Sequence, residues 1–204
     1  MKKDIKNSKS SGTTILETDG EAIYYQNVFT GEKCLEIFQK LFSEIDWQTD
    51  KFLMFGKEVE TKRLVAWYAE ENYDYKYAGA TKKAKIFLPV LRDIKDCVEK
   101  VTGEVYNSVL LNLYHNGDEA MSWHADNERE IVKDSSIASV SFGADRKFKF
   151  KHKESGEVVD LILESGSLLD MRGPIQRFWK HCLPKSKKVS KPRINLTFRM
   201  IENF

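Results

Sequence analysis

The chain has 204 residues, of which 41% are hydrophobic and 31% are charged, and its formal net charge is +2. This length allows one domain with a full hydrophobic core, while the nearly neutral charge excludes a general electrostatic attraction to nucleic acid. Three widely spaced cysteines exclude a disulfide framework and a zinc knuckle, and no apolar run approaches the length of a membrane span.

The first predicted elements are a tail and a helix. Residues 1–14 are rich in Lys, Ser and Thr and predict a disordered tail, and residues 15–204 predict a single domain. Apolar residues recur at helical spacing from Thr30 to Trp47, which predicts an amphipathic helix with Thr30 as its N-cap.

The next stretch, residues 50–87, is rich in aromatic and turn residues and indicates strands and loops that the pattern does not place more closely. A second amphipathic helix is predicted from about Pro89 to Val101, with the proline in its first turn and Gly103 after its end.

After Gly103 the sequence consists of short alternating segments separated by turn residues, which predict half-buried strands. These predicted strands are Val109–Tyr114, Ile137–Phe142, Lys147–His152, Val158–Leu163, Ser167–Met171 and Arg193–Met200. Short strands at this spacing favour a sandwich or jelly roll. We therefore predict an α+β fold in which helices pack on an antiparallel β core.

Basic residues gather in three clusters, within residues 82–85, 146–153 and 185–193. In the middle cluster lysines alternate with Phe148 and Phe150, which indicates a solvated basic face above a buried aromatic face. Local basic surface of this kind is also what phosphate binding requires.

The pattern His124-x-Asp126, followed far downstream by His181, offers two imidazoles and one carboxylate to a metal. That set is typical of non-haem Fe(II) oxygenases, which keep the other coordination positions open. Zinc sites usually add cysteine or a third histidine, and a closed structural site needs four ligands. His115 and His152 are candidates for a fourth ligand, but one precedes an Asn-Gly turn and the other ends a basic strand, so we interpret both as structural or surface residues.

The last predicted strand has a polar face, because side chains alternate along a strand and the polar residues lie at even spacing. These residues are Arg193, Asn195, Thr197 and Arg199. Asn112 and Tyr114 likewise share a face. Alone, such a row is most often a solvated surface, but beside an iron site two arginine forks suit the carboxylates of 2-oxoglutarate.

Together these motifs resemble those of the AlkB family of Fe(II)- and 2-oxoglutarate-dependent dioxygenases. The family's Asn-x-Tyr-x-x-Gly segment and its His-x-Asp segment are matched by residues 112–117 and 124–126. The resemblance covers roughly residues 50–200 and continues in the family's order through Ile137–Gly143, Ser167–Asp170, His181 and Arg193-x-Asn195-x-x-x-Arg199.

The resemblance implies a double-stranded β-helix, or jelly roll, with the N-terminal helices packed on it. It also implies oxidative removal of N-alkyl groups from bases such as 1-methyladenine and 3-methylcytosine in DNA, with release of formaldehyde, succinate and CO2. Fe(II) would be bound by His124, Asp126 and His181, and 2-oxoglutarate and O2 would be the co-substrates.

The same resemblance implies roles for the polar strand residues. Arg193 would form a salt bridge with the distal carboxylate of 2-oxoglutarate, helped by Asn112 and Tyr114. Arg199, with Asn195 nearby, would stabilise the carboxylate that chelates iron.

Residues of the segment from about 50 to 87 resemble the family's nucleotide-recognition segment, in the form found in members that repair duplex DNA. By that similarity Tyr77 and His124 would sandwich an extruded base, with Tyr75 at the pocket wall, and Phe55 would fill the gap that the base leaves. Otherwise each tyrosine is a core aromatic and Phe55 is a hairpin tip packed inward.

Two further residues belong to the implied substrate site. Arg63 would line the pocket or contact the substrate backbone, and Glu128 would face the base edge. Because methylation at N1 of adenine or N3 of cytosine leaves the base cationic, a carboxylate would favour the damaged base over the normal one.

Two alternative functions remain, namely an oxygenase of the same fold that acts on RNA or on protein, and a catalytically silent nucleic-acid-binding module. The intact iron and arginine set argues against the second. We expect an intracellular monomer that binds alkylated DNA, or RNA, and no membrane; it would be cytoplasmic in a bacterium and nuclear in a eukaryote.

Overall fold

The computed structural model describes residues 12–54, 57–71, 74–77 and 80–202, and among them the side chains of 12–49, 60–71 and 84–202. The helices are α1 (Gly31–Glu44), α2 (Pro89–Thr102) and the short α3 (Ile175–Phe178). The strands are β1 (Thr13–Leu16), β2 (Glu21–Tyr25), β3 (Gln48–Met54), β4 (Lys57–Ala69), β5 (Asp74–Tyr77), β6 (Ala80–Lys83), β7 (Lys85–Ile86), β8 (Ser108–Tyr114), β9 (Met121–His124), β10 (Ile137–Gly143), β11 (Arg146–His152), β12 (Val158–Leu163), β13 (Leu168–Arg172), β14 (Trp179–Leu183) and β15 (Arg193–Arg199).

Most strands of the described residues belong to two sheets. The larger sheet has the order β1-β2-β13-β10-β15-β8-β4-β3, with β7 paired to β4, and the smaller has the order β12-β11-β14-β9. From β8 onward the chain passes back and forth, so that four of the last eight strands join each sheet. The final strand, β15, lies between β10 and β8.

Helices α1 and α2 cover one face of the larger sheet. Ile37 and Leu41 of α1 and Leu91 and Ile94 of α2 are buried in one cluster with Leu111 of β8. Removing each of these side chains from water stabilises the fold by about 1.5–3 kcal/mol, so apolar burial holds the helices against the sheet.

The other face of the larger sheet faces the smaller one, with Tyr114, Phe148 and Phe150 in the cluster between them. The register pairs Tyr114 with Arg193 and aligns the rest of the polar row of β15 with β8. The predicted sharing of faces is therefore confirmed, and the polar row points into the space between the sheets.

The starts of both long helices and the end of α2 follow the predicted signals, whereas α1 ends at Glu44, before the predicted Trp47, because the backbone is already extended at Ile45. Thr30 has extended backbone angles at the N-cap of α1, although its side chain makes no cap hydrogen bond. Gly103 ends α2 at φ +76, and its N–H donates to the carbonyl of Glu99. A positive φ of this size favours glycine, which explains the stop.

The predicted tail is wrong at its last two residues. Thr13 and Thr14 begin β1 and pair with Tyr24 and Ile23 of β2. The strand forms because Leu16 is buried in the cluster between the sheets, which anchors the segment. Residues 1–11 of the predicted tail lie outside the described residues.

The segment that the sequence left unassigned contains strands, as predicted. Strands β3 and β4 extend the larger sheet, while β5 and β6 pair only with each other among the described strands. Within the described part of the chain, no helix is long and apolar enough to cross a membrane.

Candidate active site

Three predicted metal ligands meet at the edge of the smaller sheet. His124 ends β9 and pairs with His181 of β14, and Asp126 follows two residues later. The ligand atoms of the three side chains lie within 4.8 Å of one another. Asp126 and His181 are buried, whereas the side chain of His124 is 35% exposed, so one side of the cluster stays open.

Neighbouring groups orient both imidazoles. Nδ1 of His124 lies 2.8 Å from the carbonyl oxygen of Ser122, and since a carbonyl only accepts, Nδ1 carries the proton and Nε2 is left to bind a metal. The ring of His181 stacks on Phe148 at 5.3 Å. The ligand atoms therefore face each other before any metal binds.

Electrostatics keep Asp126 ionised. Burial would raise the pKa of this carboxyl, but the Arg199 cation, joined in acid by protonated His181 and His124, offsets it and holds the pKa well below its usual range. Arg199 Nη2 lies 2.9 Å from Asp126 Oδ2. Burial lowers the pKa of His181 to about 4, so at neutral pH the cluster presents one carboxylate and a neutral imidazole.

The metal-free protein is expected to lose about 2 kcal/mol of stability between pH 7 and pH 5 through His181. In the unfolded chain this histidine takes up a proton near pH 6.5, whereas the folded residue does so only near pH 4, so acid favours the unfolded state across this window. Urea denaturation at both pH values measures the loss of stability. In the His181→Gln variant, the part of this loss that comes from His181 should be absent. The same pH dependence in both proteins would contradict the assignment.

A cavity of about 330 Å³ opens beside the three ligands. Ten of the predicted site residues line it, namely Arg63, Asn112, Tyr114, His124, Asp126, Glu128, His181, Arg193, Asn195 and Arg199. His115 and His152 are elsewhere: His115 pairs with Glu119, and His152 lies between Asp19 and Ser155.

Arg193 is the best placed anion-binding group of this cavity. It is 2% exposed, its Nη2 donates to Ser141 Oγ at 2.9 Å, and its guanidinium carbon lies 5.6 Å from the centre of the Tyr114 ring. Its buried Nε has no hydrogen-bond partner among the described residues. Burial lowers the pKa of Arg193 to about 10, so it remains a cation and the arrangement fits a carboxylate.

The other arginine and its neighbouring amide both make contacts within the protein. Arg199 bonds Asp126, so it stabilises the candidate metal ligand itself. Asn195 Nδ2 donates to Ser139 Oγ at 2.9 Å and to the carbonyl of Val140 at 3.0 Å. Both contacts join Asn195 to β10 of the larger sheet, so they stabilise the wall of the cavity. The amide N–H groups of Asn195 are thereby already used.

The predicted substrate residues separate into described and undescribed ones. Arg63 is buried and its Nε donates to Asn112 Oδ1 at 3.0 Å, so it lines the cavity. Glu128 has a buried Oε2 without a hydrogen-bond partner among the described residues. Tyr75 and Tyr77 belong to β5, whose side chains are not described, and Phe55 lies outside the described residues.

Comparisons with known proteins agree with this geometry. The family model of the 2OG-Fe(II) oxygenase superfamily matches residues 21–199. The chain is 41% identical over 197 residues to the DNA oxidative demethylase ALKBH2 of Homo sapiens, covering 91% of this chain and 76% of that protein. It is 36% identical to the alpha-ketoglutarate-dependent dioxygenase alkB homolog 3 of Homo sapiens, covering 81% and 60%. The chain belongs to the AlkB family.

The solved structure of OsALKBH1 has the same fold. It superposes with a TM-score of 0.67 at 13% sequence identity, and the match covers 92% of this chain and 100% of that one. Together with the family match, this shows the fold of a 2-oxoglutarate oxygenase, whose described sheets are antiparallel except for the β4–β7 pair.

Membership of the AlkB family identifies the cofactor as Fe(II) and the co-substrates as 2-oxoglutarate and O2. The residues fit them, because two imidazoles and one carboxylate form the facial ligand set that non-haem Fe(II) takes. The orphaned Nε of Arg193 beside Tyr114 fits the carboxylate of the co-substrate.

Sequence reasoning missed two residues that contact members of this AlkB-family site, Tyr114 and Asp126. Arg146 was counted within a basic cluster with a solvated face, but it is 1% exposed; its even spacing with the buried Phe148 and Phe150, which puts the three on one face, is the signal that could have found it. Gln176 of α3 accepts a hydrogen bond at 2.9 Å from the backbone N–H of Asp126, and no pattern in the sequence indicates this contact.

Proposed function

We propose that this AlkB-family oxygenase repairs DNA by oxidative removal of N-alkyl groups from bases such as 1-methyladenine and 3-methylcytosine. One observation carries the proposal: the complete His124, Asp126 and His181 cluster opens onto a cavity in a chain that is 41% identical to DNA oxidative demethylases. The products are formaldehyde, succinate, CO2 and the repaired base.

In this proposal His124, Asp126 and His181 hold Fe(II), while Arg193 and Tyr114 bind the distal carboxylate of 2-oxoglutarate. When bound, these groups supply O2-dependent hydroxylation of an N-alkyl carbon, after which the hydroxylated methyl group leaves the base as formaldehyde. The protein contributes position, because binding in a buried cavity aligns the reacting carbon and excludes water.

Other residues hold these groups in place. Asn112 receives a hydrogen bond from Arg63 and lies beside Tyr114 on the same strand face. Arg199 keeps Asp126 ionised and oriented for the metal. We propose that Asn195 acts on the co-substrate only through the wall that it stabilises.

Recognition of the damaged base is assigned to Glu128, with Tyr77 and His124 on the two faces of the extruded base. The half-exposed ring of His124 at the cavity supports its part. Tyr75 at the pocket wall and Phe55 as the wedge remain predictions from the sequence.

Glu128→Gln is expected to lower activity about 10–100-fold on cationic lesions, because a carboxylate contributes about 1.5–3 kcal/mol when it accepts a hydrogen bond from a charged partner. Demethylation of a neutral lesion, such as 3-methylthymine, should change little. Single-turnover rates on both lesions measure the difference. Glu130→Gln, outside the cavity lining, is the matched control. Equal losses on both lesions would contradict a role in charge recognition.

The fold and organisation carry further proposals. We propose that β8–β15 form a double-stranded β-helix with α1 and α2 packed outside it. The equal distribution of these eight strands, four in each sheet, supports this proposal. We also propose a single domain acting as a monomer, with residues 50–87 contacting the nucleic acid. A DNA substrate implies an intracellular location, cytoplasmic in a bacterium and nuclear in a eukaryote.

The direct test is incubation with Fe(II), 2-oxoglutarate, O2 and oligonucleotides that carry 1-methyladenine or 3-methylcytosine. Loss of one methyl group by mass, with formaldehyde release, is the expected result, and His124→Ala is the inactive control. Parallel reactions with single-stranded DNA, duplex DNA, methylated RNA and methylated peptide identify the substrate. Activity confined to RNA or peptide, or binding without turnover, would replace the proposal with one of the alternatives.

A further inference from the structure

Tyr114 lies between two buried arginines. The guanidinium carbons of Arg146 and Arg193 are each 5.6 Å from the centre of its ring. Arg193 belongs to the co-substrate end of the cavity, whereas Arg146 does not line the cavity. Arg146 comes from β11 of the smaller sheet, so the Tyr114 ring is held between groups from the two sheets.

Arg146 also forms hydrogen bonds to two loops, one after β8 and one after β14. Its Nη1 donates to the carbonyl of Asn116 at 3.2 Å, and its Nη2 donates to the carbonyls of Glu119 at 2.8 Å and Pro184 at 2.9 Å. The first two carbonyls lie in the turn that follows β8, and the third lies just after β14. One guanidinium thus ties β8, β11 and β14 together.

The two loops meet tightly at Gly117. Its N–H donates to the carbonyl of Val189, and its carbonyl accepts from the N–H of Ser186. A Cβ at position 117 would lie 1.9 Å from the carbonyl oxygen of Ser186, so only glycine fits. The turn after Tyr114 therefore has little freedom once Arg146 and these backbone bonds are in place.

We propose that Arg146 is a positioning residue for 2-oxoglutarate, which fixes the ring of Tyr114 opposite Arg193 and closes the co-substrate end of the cavity. This inference rests on the proposed function, because it assumes that Tyr114 and Arg193 bind the co-substrate.

The guanidinium group is needed for its shape as well as its charge. Three carbonyl oxygens accept from its fork while its guanidinium carbon lies over an aromatic ring, and a lysine ammonium cannot do both. Its charge also acts on the neighbouring cation. Burial is the main cause of the lowered pKa of Arg193, and the positive charge of Arg146 lowers that pKa further. Two cations in one buried region favour the binding of a dianion.

Arg146→Lys tests the proposal because it keeps the charge and loses the fork. We expect the Kd for 2-oxoglutarate to rise about tenfold, which is the size of loss seen when a group that orients a metal ligand is removed. Anaerobic calorimetry with Mn(II) in place of Fe(II) measures this Kd. The Kd for Mn(II) itself should stay within about twofold, since Arg146 is not bonded to the metal ligands.

Arg172→Lys is the matched control. Arg172 is also a partly buried, hydrogen-bonded arginine, bound to Asp170 at 2.6 Å and to the carbonyl of Thr102, but it lies outside the cavity lining. Its replacement should lower Tm and leave the Kd for 2-oxoglutarate unchanged.

An unchanged Kd for 2-oxoglutarate in folded Arg146→Lys protein would overturn the inference and leave Arg146 a purely structural residue. If both arginine variants raised the Kd equally, the effect would come from general destabilisation and the inference would also fail. Absence of 2-oxoglutarate binding by the unaltered protein would instead overturn the proposed function.

Discussion

Asp126→Asn is expected to abolish demethylation and to weaken metal binding by more than about 100-fold, a larger loss than removal of a group that merely orients a ligand. Asp126 is the only carboxylate of the candidate ligand cluster, and Arg199 bonds to it at 2.9 Å. The amide keeps the volume but loses the negative charge on which both contacts depend. Mn(II) titration and formaldehyde release measure the two effects.

Asp134→Asn is the control for this substitution. Asp134 pairs with Arg177 at the surface, and its positive φ of 59° is one that asparagine tolerates. Stability and activity should both be preserved, because exposed ion pairs contribute little. Full metal affinity in Asp126→Asn protein would rule out this residue as a ligand.

Arg193→Met should raise the Kd for 2-oxoglutarate by about 30–4,000-fold, since loss of one partner of a buried charge pair costs about 2–5 kcal/mol. Methionine fills the site without a charge, and replacement of a buried cation by an apolar residue is often tolerated by the fold. The Kd for Mn(II) should change little, because Arg193 contacts Ser141 and Tyr114 and makes no described contact with the metal ligands.

The exposed Arg177→Met variant controls for loss of one positive charge. It should bind 2-oxoglutarate as the unaltered protein does. A normal Kd in the Arg193→Met variant would move the carboxylate-binding role to another cation of the cavity, such as Arg63.

Alternation along strands made much of the site predictable from the sequence. Even spacing correctly placed Asn112 with Tyr114, and Arg193 with Asn195, on faces that the register then aligns. The two long helices were also predicted, because apolar spacing and Gly103 act locally, whereas the short α3 was not.

Contacts between distant segments were not predictable in this way. Arg146 was counted only as part of a basic cluster, because charge usually indicates exposure, and only the fold brings three carbonyl oxygens to it. Strands β9 and β14 were missed because they are short and their pairing depends on each other. The contact between Gln176 and Asp126 spans 50 residues and leaves no periodic signal.

The position of β15 has a consequence for the order in which the protein folds. Strands β8 and β10 bond to β15 on its two sides, so each keeps a bare edge until residues 193–199 have been synthesised. Bare edges invite pairing between different chains, and pairing over long sequence separations is slow. A nascent chain interrupted before Arg193 therefore lacks the strand that joins the halves of its larger sheet, and it should aggregate instead of yielding a partly active enzyme.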